Sequence, residues 1–205
     1  MLSDANQTRT TTLCLIVEKD RVPAFFSILA QGFVINTKVG CSVRELLCVH
    51  MGLGEDYLEQ RLQTIFLDGK AVDNTETAMV HQGSTLALSA AMPGLAGATL
   101  RRGSAYSAMR DQITHKKSTK NEGIIKDGTI RLKLFNLVAQ EIGQLFLTQG
   151  IQIDGRHLIN MFRRASNQFW SGCRIIEMNG RPIDAEKLMN MDWKPLQVFL
   201  KLDIV

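Results

Sequence analysis

Short apolar or alternating stretches recur along the chain, separated by glycine, proline and small polar residues. In the first half this pattern predicts strands at residues 12–18, 32–35, 63–67, 70–72 and 84–89. In the second half it predicts strands at residues 129–135, 145–147, 151–153, 174–178 and 196–202. Runs of this length and pattern are typical of strands that place one or both faces against a core.

One amphipathic helix is predicted in each half, after the strand at 32–35 in the first half and after the strand at 151–153 in the second half. In the first half, Ser42 followed by Glu45 is a capping box, in which a hydroxyl and a carboxylate satisfy amides at the start of a helix. In the second half, Asp154 is the predicted N-cap, and the buried stripe runs from Leu158 to Phe169. The residues expected in the core are Leu46, Leu47, Phe66, Leu158, Phe162 and Val198.

The two halves also repeat each other in sequence. Residues 68–73, Asp-Gly-Lys-Ala-Val-Asp, return at 179–184 as Asn-Gly-Arg-Pro-Ile-Asp. Asp-Gly and Asn-Gly between apolar runs predict tight hairpin turns. Each half therefore follows the order strand, strand, helix, strand, turn, strand, and the chain is expected to contain two tandem units at 1–92 and 127–205, joined by a basic, glycine-containing linker at 93–126.

This order resembles the β-grasp arrangement of the ubiquitin-like family, and it predicts the α+β class. The first half specifically resembles the sulfur-carrier proteins of molybdopterin and thiamine biosynthesis, because residues 83–97 are similar to their closing strand and glycine-ended tail. Those carriers end in an activated Gly-Gly carboxylate, whereas here Ala98 follows Gly97 and the chain continues. A sulfur-carrier role would therefore require cleavage that exposes Gly97.

Composition narrows the classes of function without naming one. A hydrophobic content of 45% and a charged content of 21% are ordinary for a globular protein. The four cysteines form no C-x-x-C pair, so no metal site is expected, and the residues suggest no cofactor. The longest uncharged stretch, residues 86–100, is shorter than the roughly 20 apolar residues of a membrane span. We expect a cytoplasmic protein that does not bind membranes.

Two groups of residues are candidates for binding. The first is the stretch that contains Gly94, Gly97, Arg101 and Arg102, where glycine amides and guanidinium groups together suit an anion. The alternative is a flexible linker or a docked tail. The stretch matches neither of the common glycine-rich nucleotide-binding motifs.

The second group lies on the predicted second helix. Arg156, Arg163 and Arg164 fall away from its apolar stripe, and Trp170 follows. A solvated helix face explains the arginines, but tryptophan and arginine together are common in partner-binding surfaces.

Catalytic chemistry is not indicated by the sequence. His50 lies close to Cys48, but side chains two positions apart on a helix point in different directions. We therefore predict a non-catalytic ubiquitin-like binding or adaptor protein with a protein partner. The alternatives are a sulfur-carrier-related protein, which requires cleavage to expose Gly97, and weak binding of RNA or another anion through the linker arginines. The net charge of +4 alone does not decide for nucleic acid, and self-association into a homo-oligomer is left open.

Overall fold

The computed structural model describes residues 10–91, 94–103, 105, 114–115, 124–193 and 197–205. The chain folds into two compact units. The discontinuous unit combines residues 1–33 with 142–205, and the continuous unit comprises residues 34–141. Most of the predicted linker 93–126 lies outside the described residues.

The discontinuous unit contains five neighbouring strands in the order β11-β10-β1-β12-β9. Their bounds are Thr10–Val17 (β1), Ile151–Asp154 (β9), Cys173–Met178 (β10), Arg181–Pro182 (β11) and Gln197–Ile204 (β12). The central pair, β1 and β12, is parallel, and the other pairs are antiparallel. Every second residue of β1 is buried, as strand alternation requires when one face covers a core.

Helices cover the buried face of this unit. A 3-10 helix, Lys19–Phe25, leads into α1, Phe26–Gln31, while α5 (Gly155–Arg164), α6 (Asn167–Ser171) and α7 (Ala185–Met189) come from the second half of the chain. Phe162 of α5 is fully buried and packs against Phe169, Trp170 and Trp193 at ring distances of 6.4, 5.3 and 6.5 Å.

The continuous unit has the strand order β2-β8-β7-β4-β5. The bounds are Phe33–Val39 (β2, whose first residue falls in the discontinuous unit), Thr64–Leu67 (β4), Lys70–Ala71 (β5), Thr85–Ser89 (β7) and Lys126–Phe135 (β8). Here the parallel central pair is β7 and β8. Two further short strands, Cys41–Ser42 (β3) and Met79–Val80 (β6), form a separate antiparallel pair.

The helix of the continuous unit begins as predicted and then widens. Ser42 caps it by accepting a hydrogen bond from the Glu45 amide at 3.1 Å. A short α-helical segment, Val43–Glu45 (α2), passes into a π-helix, Leu46–His50, and a second π-helix covers Tyr57–Arg61. A further α-helix, α3, covers Gly94–Leu100.

The strand predicted at 145–147 is wrong, because these residues belong to α4, Asn136–Gln149. Three consecutive apolar residues fit a strand or a buried helix equally well. The deciding signal is the longer spacing of Val138, Ile142 and Phe146, which are all buried. The strand predicted at 151–153 is confirmed.

The core predictions are confirmed for Leu46, Leu47, Leu158, Phe162 and Val198, which are fully buried, whereas Phe66 is only half-buried. The α+β class is also confirmed, since each unit combines a mixed sheet with helices. Two tandem β-grasp units are not confirmed. Each compact unit draws strands from both predicted domains, and the boundaries 1–92, 93–126 and 127–205 stay a prediction.

No helix within the described ranges is long and apolar enough to cross a membrane.

Candidate functional site

The eight residues singled out from the sequence fall into the two units. Gly94, Gly97, Arg101 and Arg102 belong to the continuous unit. The discontinuous unit holds the second group, Arg156, Arg163, Arg164 and Trp170.

Arg102 is an internal anchor of the continuous unit. Its guanidinium donates to a Glu59 carboxylate oxygen at 2.8 Å and to the Leu58 carbonyl at 3.1 Å, and its side chain is only 11% exposed. Its backbone amide donates to the Gln63 carbonyl at 2.8 Å. The anion beside Arg102 is therefore a carboxylate of the protein itself.

The glycines near Arg102 also take part in hydrogen bonds within the continuous unit. Gly97 is buried within α3, and its carbonyl accepts from the Arg101 amide at 3.0 Å. Gly103 has a positive φ of 65°, and its amide donates to the Asp73 carboxylate at 3.1 Å. The amides of residues 101–103 thus bond within the chain, as in the docked tail that the sequence left open as an alternative.

A charge cluster beside this segment was missed by sequence reasoning. Arg44 pairs with Glu55, with Glu59 at 2.7 Å and with Glu76 at 2.7 Å, so that Glu59 lies between two arginines, Arg44 and Arg102. Glu55 and Glu59 of this cluster are four positions apart, but Arg44, Glu76 and Arg102 lie further away in sequence, and no local pattern links all five. The cluster ties α2 to the second π-helix and to the segment after α3.

His50 and Cys48 do not form a nucleophile–base pair. The His50 Nε2 lies 3.9 Å from a Glu45 carboxylate oxygen, and burial raises the pKa of the Cys48 thiol. A raised pKa keeps the sulfur protonated and weakly nucleophilic at neutral pH. Among the described residues, no cluster of three or more His, Cys, Asp and Glu side chains is placed to hold a metal ion.

The second group lies on and beside α5. Asp154 caps this helix by accepting from the Arg156 amide at 2.8 Å. The Arg156 guanidinium also donates to the Asp154 carboxylate at 2.9 Å, and this hydrogen bond lowers the pKa of that carboxyl. Arg156 is thereby committed to the cap.

Arg163 and Arg164 differ from Arg156. Both are exposed in the last turn of α5, and neither has an ion-pair partner among the described residues. No acidic residue occurs between Asp154 and Glu177. The positive charge on this part of the discontinuous unit is therefore not neutralised by its own sequence neighbours.

Trp170 lies at the edge of the aromatic core of the discontinuous unit. It is half-buried, and its ring packs against Phe162 and against Phe169 at 5.3 and 5.1 Å. We call the exposed arginines Arg163 and Arg164, together with Trp170, the arginine surface. Its tryptophan is held in place by packing and is partly exposed.

A cleft between α1 and α5 adjoins this surface. Its volume is about 240 Å³. Ala24, Ser27, Gln31, His157, Asn160, Met161, Arg164 and Ala165 line it. Residues 157, 160, 161 and 164 follow the helical spacing i, i+3, i+4, i+7, a signal present in the sequence. The opposite wall of the cleft comes from α1 and from Ala24 before it, and no helix was predicted there from the sequence.

No family model matches this chain, and neither the curated proteins nor the solved structures compared with it gave a match. The resemblance to ubiquitin-like proteins and sulfur carriers therefore rests on the residues and on the order of the elements alone.

Proposed function

We propose that this protein is a non-catalytic, ubiquitin-like binding module that recognises a protein partner through the arginine surface. The observation that carries the proposal is the pair of exposed, unneutralised arginines at the end of α5, Arg163 and Arg164, followed in sequence by Trp170, which is half-buried and packs on Phe162 of the same helix. Arginine and tryptophan are enriched among the residues that dominate binding energy at protein interfaces.

The physical state of these side chains suits binding. Trp170 is fixed by two aromatic contacts, so its ordering on binding loses little conformational entropy. Arg163 and Arg164 carry charge that no carboxylate of the described residues offsets, and an acidic partner provides that offset.

The order of elements supports the ubiquitin-like part of the proposal. In the continuous unit a parallel pair, β7 and β8, lies at the centre of the strand order, with β2 on one side and the β4–β5 hairpin on the other. A β-grasp sheet has the same order of pairings. The place that the first strand of a β-grasp sheet occupies is taken here by β8, which follows the linker in sequence instead of preceding β2.

The first step of the test places a photo-crosslinking amino acid at Gln168, an exposed position of α6, in the native host. The protein captured there is then purified and titrated against the unaltered chain. The decisive variant is Arg163→Glu/Arg164→Glu. The matched control is Lys126→Glu/Arg131→Glu, which makes the same change of charge at exposed positions of β8.

We expect the first double variant to weaken the complex at least tenfold, since each well-placed charge contact at an interface contributes on the order of 1.4 kcal/mol or more. The control should bind as the unaltered chain does. Equal affinities for the two variants would refute the proposal. Crosslinks between two copies of this chain would instead assign the surface to a homo-oligomer, and capture of RNA alone would assign it to nucleic acid.

A further inference from the structure

The cleft between α1 and α5 is polar on both walls. Ser27 and Gln31 project from α1 at spacing i, i+4, and His157, Asn160 and Arg164 project from α5. In the part of the chain that the structure describes, none of these five side chains forms a hydrogen bond or ion pair. The cleft therefore presents a set of converging polar groups without partners.

The His157 ring contains a buried atom that lacks a hydrogen-bond partner within the described ranges. Its Nδ1 atom is buried and has no hydrogen-bond partner among the described residues. Buried polar atoms in folded proteins nearly always have a hydrogen-bond partner, so the His157 ring marks the α5 wall of the cleft as a place where a partner is missing.

The groups in the cleft are mainly donors. The Arg164 guanidinium only donates, and the two amides and the Ser27 hydroxyl each have hydrogens to give. No carboxylate lines the cleft, and residues 21–44 and 155–176, which contribute both walls, contain no Asp or Glu. This composition selects an anionic ligand with acceptor oxygens.

The charge and the apolar lining distinguish between a carboxylate and a phosphate. Arg164 is the one residue of the lining that is charged at all ordinary pH values, which matches the single charge of a carboxylate. A phosphoryl group carries a charge of about −1.5 to −2 at neutral pH and is better matched by several arginines. Ala24, Met161 and Ala165 supply an apolar wall against which methylene groups pack.

We infer that the cleft between α1 and α5 is a pocket for a glutamate side chain of the partner protein, with the carboxylate on Arg164 and the methylenes on Met161 and Ala165. This inference rests on the proposed function, because it names the residue type that a partner bound at the arginine surface inserts next to that surface. Ser27, Gln31, His157 and Asn160 then give the carboxylate its remaining hydrogen bonds.

The test uses the full chain, labelled with nitrogen-15, and follows the side-chain signals of Gln31, Asn160 and His157 by NMR. The probe is N-acetyl-glutamate N-methylamide, and its uncharged counterpart is the glutamine analogue. One charged contact with a few hydrogen bonds predicts a Kd in the millimolar range, so each probe is titrated to about 20 mM. Inorganic phosphate is titrated in parallel.

We expect saturable shifts of these signals with the glutamate probe and at least tenfold weaker binding of the glutamine analogue. Arg164→Gln should abolish the shifts. Arg131→Gln removes the same charge from an exposed position of β8 and should leave them unchanged. The folded state of both variants is checked by the dispersion of the other amide signals.

Three results would overturn the inference: no saturation with the glutamate probe, equal affinity for the two capped amino acids, or tighter binding of phosphate than of the glutamate probe. If the probe does not bind but Arg163→Glu/Arg164→Glu weakens the partner complex, the pocket alone is refuted. If the probe binds while the partner complex is unaffected, the proposed function is refuted and the cleft is a site for small carboxylates.

Discussion

The hairpin β4–β5 of the continuous unit and the hairpin β10–β11 of the discontinuous unit are built with the same hydrogen bonds. Asp68 and Asn179 have the same positive φ of 51°, and glycines with φ of 78° and 73° follow them. The Asp68 amide donates to the Thr85 carbonyl, and the Asn179 amide donates to the Thr12 carbonyl. In return, the amide of each threonine donates to the side chain of the same turn residue, at 2.6 and 2.9 Å.

These hairpins differ in the strand that they join. Thr85 begins β7, which precedes the linker in the same half of the chain as its hairpin. Thr12 lies in β1, at the opposite end of the sequence from β10. The comparison shows that a repeated sequence preserves the local turn and its hydrogen bonds while the strand that receives the turn comes from elsewhere in the chain.

The outer edges of the hairpins differ as well. The Val72 amide donates to the Ile65 carbonyl, and the Ile183 amide donates to the Ile176 carbonyl. Backbone groups of successive strand residues point to opposite sides, so the backbone nitrogen of the preceding residue points away from the hairpin in both cases. In the continuous unit that residue is Ala71, and the chain pairs there in parallel with Thr114. In the discontinuous unit it is Pro182, which has no amide hydrogen to offer. Proline at such a position prevents further strand pairing.

The largest expected loss of stability comes from the helix α5 that covers the sheet of the discontinuous unit, compared with an exposed position of the sheet itself. Phe162→Ala in α5 should lower the free energy of unfolding by about 3–5 kcal/mol, through lost transfer energy and the cavity left among Phe169, Trp170 and Trp193. Urea unfolding followed by tryptophan fluorescence measures it, since both tryptophans touch this ring. Ile175→Ala, at a position of β10 that is 43% exposed, is the control and should cost less than about 1 kcal/mol. A cost below about 1 kcal/mol for Phe162→Ala would mean that α5 does not pack as described.

Several local features of this fold can be predicted from the sequence, because they depend on residues a few positions apart. The Asp-Gly and Asn-Gly turns and the caps Ser42 and Asp154 are of this kind, and all are confirmed. The choice of strand partner is not local. Alternation in β1 tells which face is buried, but it carries no information on whether β10 or β4 will be the neighbour.

The candidate site could be predicted only in part, for the same reason. The exposed arginines and Trp170 follow from the sequence after Asp154, although the single helix predicted there is divided into α5 and α6. The cleft depends on Ser27 and Gln31 of α1, whose helix is short and preceded by Pro23. The internal pairing of Arg102 with Glu59 joins residues 43 positions apart, which no motif records.

The second prediction tests whether the two hairpin turns are equivalent. Gly69→Ala and Gly180→Ala should each cost about 1–2 kcal/mol, because an L-residue with a side chain is strained at positive φ. A Cβ at either glycine meets no atom within 4 Å, so steric clashes add nothing and the costs should agree to within about 0.5 kcal/mol. Thermal or urea unfolding of the single variants checks this. A large cost at one turn and none at the other would show that the two hairpins are not equivalent.

The smallest expected effect concerns the edge at Ala71. The His115 amide donates to the Ala71 carbonyl at 2.7 Å, and burial, followed by the nearby Lys70, lowers the pKa of His115. Ala71→Pro copies Pro182 into the continuous unit and removes the outward amide hydrogen. We expect the Thr114–His115 segment to detach and the pKa of His115, measured by NMR titration of its ring, to rise toward the ordinary value of about 6.5. The lowered pKa also predicts how docking of this segment depends on pH. The docked state binds fewer protons than the detached state, so docking is strongest above about pH 6.5, the ordinary pKa of histidine, and weakens as the pH falls from there to the lowered pKa of docked His115.

Pro182→Ala, the reverse exchange in the other hairpin, is the control and should leave the His115 titration unchanged. An unaltered His115 pKa in Ala71→Pro would show that pairing at this edge does not hold the segment, and the contrast between the two edges would then have no consequence for the chain.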